Sequence, residues 1–275
     1  RNIFGQTWPS PEGGSLLLRN MLDLLGRFQK FAGFRSALGA VLTWPERFCL
    51  FVSPDPMRAY AIVLDRHTRQ AWSFLPADWP DRDAAHKTDV LSACLRYVLS
   101  MVLEQFSGLI LHAAGVQEAE GSVLFIGPSG TGKTTLARTR PEACSVLADD
   151  GVIVSWDQER FRAYSTPWNM LNGAWRDQPG AFGRSGEIRA VFLLTDNGDT
   201  RPARETPANA VGRSLQQMNP FLWWLDADGQ QATWKFLSDL YLAVPAYRFN
   251  ARAGDEPWRL IDEIISDTKR SEIDD

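Results

Sequence analysis

Residues 127–134 read GPSGTGKT and satisfy the pattern G-x-x-x-x-G-K-[ST] at every fixed position. No other stretch constrains the fold as tightly, because each residue type in it has a physical task. Glycine lets the backbone curl until successive N–H groups point inward at an anion's oxygens. Lys133 is placed to reach outer phosphates, and the Thr134 hydroxyl is a ligand for Mg²⁺. The pattern needs a strand before it and a helix after it. Ser122-Val123-Leu124-Phe125-Ile126 is a short apolar run of buried-strand composition, and Thr134-Thr135-Leu136-Ala137-Arg138 can open a helix. The candidate nucleotide-binding set is therefore Gly127, Ser129, Gly130, Thr131, Gly132, Lys133, Thr134 and Thr135.

The spacing of apolar runs predicts an α/β fold built on this loop, with a smaller strand-rich region before it. An amphipathic helix is expected over 15–30. Between about 40 and 75, Phe48–Val52, Tyr60–Leu64 and Ala71–Phe74 read as strands separated by turn residues such as Pro54-Asp55-Pro56. Residues 76–87 read as a linker, which sets the expected boundary between a region 1–85 and a phosphate-loop domain 86–275. Thr88 or Asp89 is the expected cap of a helix running to about Phe106, with Leu91, Leu95, Val98, Val102 and Phe106 as its apolar face. The run Leu109–Val116 reads as one buried strand, forming a hairpin with 122–126 through the turn at Glu118–Gly121.

A short helix after the loop must stop at Arg140-Pro141. Ser145–Ala148 reads as a strand, followed by a hairpin of Val152–Trp156 and Phe161–Tyr164. Residues 166–187 lack periodicity and are long for a structureless connection, so they read as a functional flap. Ala190–Leu194 is a strand; Asn209–Met218 and Phe236–Leu242 are helices. Tyr247–Phe249 is a last strand, and Pro257 to about Lys269 is an amphipathic helix.

Composition narrows the class. The net charge is −4 and no basic block stands out, so nucleic acid is not an expected partner. Three widely spaced cysteines, Cys49, Cys94 and Cys144, form no C-x-x-C pair. They predict a reducing, cytoplasmic setting with neither a disulfide framework nor a zinc site. The first residues show no signal-peptide pattern. The longest apolar stretch is interrupted by Arg96, Glu104 and His112, so no membrane span or membrane partner is expected. Tryptophan is abundant, at eleven residues. Trp223, Trp224 and Trp234 are expected in the core, with an aromatic pocket as the alternative.

Three further features carry chemistry. Asp149 and Asp150 end an apolar strand 16 residues after Lys133. Beside a Mg²⁺ site, one acid can ligate the metal and the other can act on an attacking hydroxyl, as phosphoryl transfer requires. The plainer alternative is a turn acid opening the next hairpin. His112 falls in an apolar run, where a histidine is either a satisfied core residue or an imidazole bonded to a carboxylate it tunes. Arg176, Arg184 and Arg189 could each reach a transferred phosphate or sit solvated on the surface.

The ordered set LHAAGV (111–116), GPSGTGKTT (127–135) and LADDGVIV (147–154) resembles the HPr kinase/phosphorylase superfamily, whose phosphate loop is related to that of ATP-dependent carboxykinases. STPW (165–168) and the run 190–194 look like features of HPr-kinase-like proteins from lasso-peptide and other peptide-modification clusters. The resemblance implies a carboxykinase-like core and an ATP- and Mg²⁺-dependent kinase acting on a serine of a peptide or protein, with a ribosomally made peptide precursor as the expected class. It implies that Lys133 binds phosphates and that Thr134 and Asp150 bind Mg²⁺. Asp149 would be the general base and His112 would contact Asp149. It also permits homo-oligomeric assembly. Thr135 stands where the HPr enzymes carry an acid, and 186–194 matches their phosphorolysis signature only in part. The readings held against it are a nucleotide-binding accessory protein without phosphotransfer, and a small-molecule kinase.

Overall fold

The computed structural model describes residues 40–44, 48–52, 61–65, 70–75, 79–103, 106–119, 121–166, 183–197, 201–218, 227–251 and 256–273. The expected helix at 15–30, Trp223, Trp224 and Arg176 lie outside them. By its contacts the chain divides into two compact units, Arg1–Val98 and Leu99–Asp275.

The first unit contains an antiparallel meander of four strands: β1 (Ala40–Trp44), β2 (Phe48–Val52), β3 (Ala61–Asp65) and β4 (Gln70–Phe74). The register runs Trp44 to Phe48, Phe48 to Asp65 and Asp65 to Gln70. A 3-10 turn at Trp79–Asp81 precedes helix α1 (Ala84–Leu103). The helix starts before the expected cap, so the end of the supposed linker is helical. Lys87 N–H donates to the Asp83 carbonyl, and the Thr88 hydroxyl donates to the Ala84 carbonyl instead of capping. A mid-helix threonine commonly bonds back to the fourth residue before it in this way. The expected apolar face is also rotated: Val90 and Cys94 are buried, while Leu91 and Leu95 are exposed. Phe106 lies beyond the helix and is exposed.

The second unit is a mixed α/β fold, as expected. A nine-stranded sheet is covered on both faces. Its strands are β5 (Gly108–Leu111), β6 (Ala113–Glu118), β7 (Gly121–Ile126), β8 (Ser145–Ala148), β9 (Val152–Trp156), β10 (Phe161–Tyr164), β11 (Ser185–Leu194), β12 (Ala203–Arg204) and β13 (Ala246–Phe249). Its helices are α2 (Lys133–Arg138), α3 (Pro207–Gln217), α4 (Ala227–Ala243) and α5 (Pro257–Ile273). The main path is β5-β9-β10-β11-β7-β6-β8, with β13 on β11 and β12 on β13. β7, β11 and β13 run parallel. β11 begins five residues earlier than expected and changes partners along one edge, from β10 at Glu187 to β13 at Val191. This shortens the supposed flap, of which 167–182 lie outside the described residues.

Two further expectations are corrected. The run 109–116 is not one strand. It breaks at His112, so β5 pairs with β9 while β6 pairs with β7 and β8. α4 begins well before Phe236, because buried Leu237, Leu240 and Tyr241 give one face enough packing to carry Gly229 and Thr233 in a helix. Trp234 on that helix is exposed, not core.

Strand alternation decides which layer each side chain joins. From β7, Leu124 and Ile126 enter a cluster with Ala210 and Val211 of α3 and Leu237, Leu240 and Tyr241 of α4. Val123 and Phe125 point the other way, to Leu136 of α2 and Trp258, Ile261 and Ile265 of α5. Phe125 stacks on Phe192 at 5.7 Å between centroids and receives the edge of Trp258 at 5.6 Å. The Trp258 indole N–H donates to the Leu136 carbonyl at 3.2 Å, which ties α5 to the helix that follows the phosphate loop. Among the described residues, no helix is long and apolar enough to cross a membrane.

Phe125 is fully buried and contacts the aromatic rings that seat α5. Phe125→Ala is expected to cost about 3–5 kcal/mol of stability, measured as a lower urea midpoint with an unchanged slope.

Candidate functional site

Three neighbouring strands bring their ends to one edge of the sheet. Ala113 pairs with Ile126, so His112 at the head of β6 lies level with the start of the phosphate loop. Gly115 pairs with Ala148, so β8 delivers Asp149 and Asp150 beside the same strand head. β6 is antiparallel to both neighbours, and β7 and β8 therefore end together. Their chemistry-bearing residues share a cleft of about 460 Å³, lined by His112, Ser129, Gly130, Gly132, Lys133, Thr134, Thr135, Asp149 and Asp150 among others.

The loop's shape follows from its glycines. Gly130 and Gly132 have φ of 88° and 104°, the left-handed region that glycine adopts without strain. Gly127 is required for a different reason. A Cβ there would stand 2.8 Å from the Leu194 carbonyl and 2.8 Å from the Thr131 hydroxyl. Thr131 is buried, and both its hydroxyl and its N–H donate to the Pro128 carbonyl, at 2.8 and 3.3 Å. The expected loop residues are thus brought together as a curled, self-bonded turn, and α2 begins at Lys133 and stops before Pro141 as expected.

Lys133 is buried to 7% exposure. Its ammonium donates to the carbonyls of Gly127 at 2.6 Å and Pro128 at 3.1 Å. Burial lowers its pKa below the usual lysine value, and the negative charge of Asp150 opposes that shift.

The two acids differ in setting. Asp149 is 2% exposed. Asp150 is half-buried, with its Oδ1 3.5 Å from His112 Nδ1. One expectation about the histidine changes here. It is 35% exposed at a bend rather than buried within a strand, and its Nδ1 faces Asp150. The break in the strand accounts for the exposure, because a side chain at a bend is freed from the pleat.

Of the described candidate arginines, neither Arg184 nor Arg189 lines the cleft. Arg189 lies beside the start of β7, near Ser122 and Val123, about 13 Å of strand from the loop at 3.3 Å per residue. It pairs with Glu187 at 3.3 Å. Arg184 precedes β11, and its N–H donates to the Ser165 hydroxyl. Sequence reasoning named the stretch containing Thr166 without a role for it. Thr166 is 1% exposed, and its hydroxyl donates to the Gly151 carbonyl. Only the β-branched hydroxyl at the end of an alternating strand hinted at such a contact.

Residues 82–266, more than half of the chain, match the model of the family described as SynChlorMet cassette protein ScmC, and the chain belongs to that family. No curated protein matches it. Among solved structures, the Hpr(Ser) kinase/phosphatase from Coxiella burnetii is similar at 13% identity, over 60% of this chain and 92% of that one, with a TM-score of 0.35.

Because Gly127 is hemmed in by backbone, Gly127→Ala must displace the loop or β11. It is expected to weaken nucleotide binding at the loop by at least about tenfold, a loss of about 1.4 kcal/mol, in titration calorimetry. Gly212→Ala, where an added Cβ meets nothing within 4 Å, is the control expected to bind normally.

Proposed function

We propose that this ScmC-family protein is an ATP- and Mg²⁺-dependent kinase that phosphorylates a serine of a peptide, with a ribosomally made, lasso-type precursor as the substrate class. The observation that carries the reading is the convergence of the loop, Lys133, Thr134, Asp149, Asp150 and His112 on one cleft. A binding protein needs the loop. Two carboxylates beside it serve a reaction in which charge must be stabilised and a hydroxyl proton removed.

The loop's N–H groups and Lys133 would hold the nucleotide's phosphates, with the lysine exchanging the Gly127 and Pro128 carbonyls for phosphate oxygens. The donor set fits Mg²⁺. The Thr134 hydroxyl and the Asp150 carboxylate are hard oxygen ligands in the same cleft. Among the described residues there is no cluster of three or more His, Cys, Asp or Glu that could hold a metal. A cation completed by phosphate oxygens and water, not by an all-protein cage, is the usual arrangement for Mg²⁺. When bound, the ion would neutralise negative charge on the phosphates. Asp149, closed from bulk water, accepts the proton of the seryl hydroxyl as its oxygen attacks the terminal phosphorus and ADP leaves. His112, with its Nδ1 3.5 Å from Asp150, would orient that metal ligand.

The choice of a seryl hydroxyl and a peptide rests on the resemblance in 111–116, 127–135 and 147–154, and membership of a cassette family supports a dedicated partner encoded nearby.

The test is intact-mass spectrometry of candidate precursor peptides incubated with the protein, ATP and Mg²⁺. A gain of one phosphate that disappears in Asp149→Asn, while ATP binding persists, is the expected result. ATP binding with no peptide modified would point to an accessory protein. His112→Ala is expected to raise the Mg²⁺ concentration for half-maximal transfer by about 10-fold or more, with nucleotide affinity in EDTA unchanged.

A further inference from the structure

The turn that carries both acids is bonded from outside by Thr166. Thr166 follows β10, distant in sequence from the phosphate loop, yet it bonds on both sides of the acidic pair. Its N–H donates to the Leu147 carbonyl at 3.3 Å, and its hydroxyl donates to the Gly151 carbonyl. Leu147 and Gly151 flank the dipeptide Asp149-Asp150 within one turn of chain. The clasp is dry: Leu147 is fully buried, Gly151 is buried and Thr166 is 1% exposed. In such surroundings water does not compete for the two carbonyls, so the hydroxyl decides whether the Gly151 carbonyl is satisfied.

Thr166 is itself held in place. Ser165 N–H donates to the Arg184 carbonyl at 2.9 Å, and Arg184 N–H donates back to the Ser165 hydroxyl at 3.1 Å. The next bond along this edge is Arg162 to the Ser185 hydroxyl, at 3.1 Å. Position 166 is thus anchored to the start of β11 and reaches across to β8. The strands that Thr166 joins are not neighbours in the sheet, because β8 ends one side of the strand path and β10 lies towards the other. The Thr166 N–H makes the link to β8, and its hydroxyl holds Gly151 on the other side of the acids.

We propose that Thr166 is a positioning residue for the acidic pair, its two bonds setting the turn so that Asp149 and Asp150 face the cleft together. The role rests on the reading of these acids as metal ligand and base. It names a residue that touches neither phosphate nor metal and acts only through the turn. Supporting partners of ligating carboxylates hold them in register, and their loss lowers metal affinity or activity.

The test uses the full chain with two substitutions. Thr166→Val keeps the shape and the backbone bond and removes the hydroxyl; Thr166→Ser keeps the hydroxyl. Two readouts are taken: kcat for peptide phosphorylation, and the ratio of ATP affinity with Mg²⁺ to that with EDTA. Thr166→Val is expected to lose about 10- to 100-fold in kcat and several-fold in the Mg²⁺-dependent gain of ATP affinity, with affinity in EDTA unchanged. Thr166→Ser is expected to recover most of both. Wild-type values in Thr166→Val would overturn the proposal. So would equal losses in both variants alongside a lowered melting temperature, which would mark a packing role. The affinity ratio needs no peptide. If the wild-type protein phosphorylates nothing, the kinase reading fails while the ratio still decides whether Thr166 sets the acids for a metal.

Discussion

The site depends on register between three strands. β6 lies between β7 and β8 and runs against both, with Ala113 opposite Ile126 and Gly115 opposite Ala148. A slip of one residue would turn every side chain of β6 to the other face and separate the loop from the acids. Register is held by the alternation that sends Leu124 and Ile126 to one helical layer and Val123 and Phe125 to the other. Packing on two faces therefore fixes where a polar cleft forms at the strand ends.

The break at His112 is the second constraint. A continuous strand over 109–116 would carry a single set of partners. Bending at His112 lets β5 join β9 while β6 serves β7 and β8, and it leaves an imidazole at the sheet edge within 3.5 Å of Asp150. One local departure from regular structure thus curls the sheet and supplies a functional group. Close approach matters in the same way at Gly127, where the loop passes the Leu194 carbonyl too tightly for any Cβ. The loop and the parallel partner strand are fitted to each other.

Much of this was legible in the chain. The loop motif, the 118–121 hairpin, the Asp149-Asp150 strand end and the helix stop before Pro141 follow from local patterns, and all lie where expected. What was not legible depends on distant packing. The run 109–116 is apolar throughout, so composition could not reveal its bend. Thr88 looks like a cap but bonds backward to Ala84, because Asp83 had already supplied the first helical carbonyl. In α1 the apolar residues at 91 and 95 are exposed, and the buried positions are Val90 and Cys94. The spacing fixed a helical period but not its phase. The clasp at Thr166 is a contact between strands far apart in sequence, and no spacing rule encodes it.

The central claim is that one cleft holds nucleotide, metal and acids together. The most direct test is a crystal structure with Mg²⁺ and a non-hydrolysable ATP analogue. The account predicts phosphates seated on the N–H groups of 129–134, Lys133 moved from the Gly127 and Pro128 carbonyls onto phosphate oxygens, and the metal on Thr134 and Asp150. Asp149 should be left facing the terminal phosphate. A nucleotide bound elsewhere, or one in the loop with both acids turned from it and Lys133 still on its own carbonyls, would contradict the account.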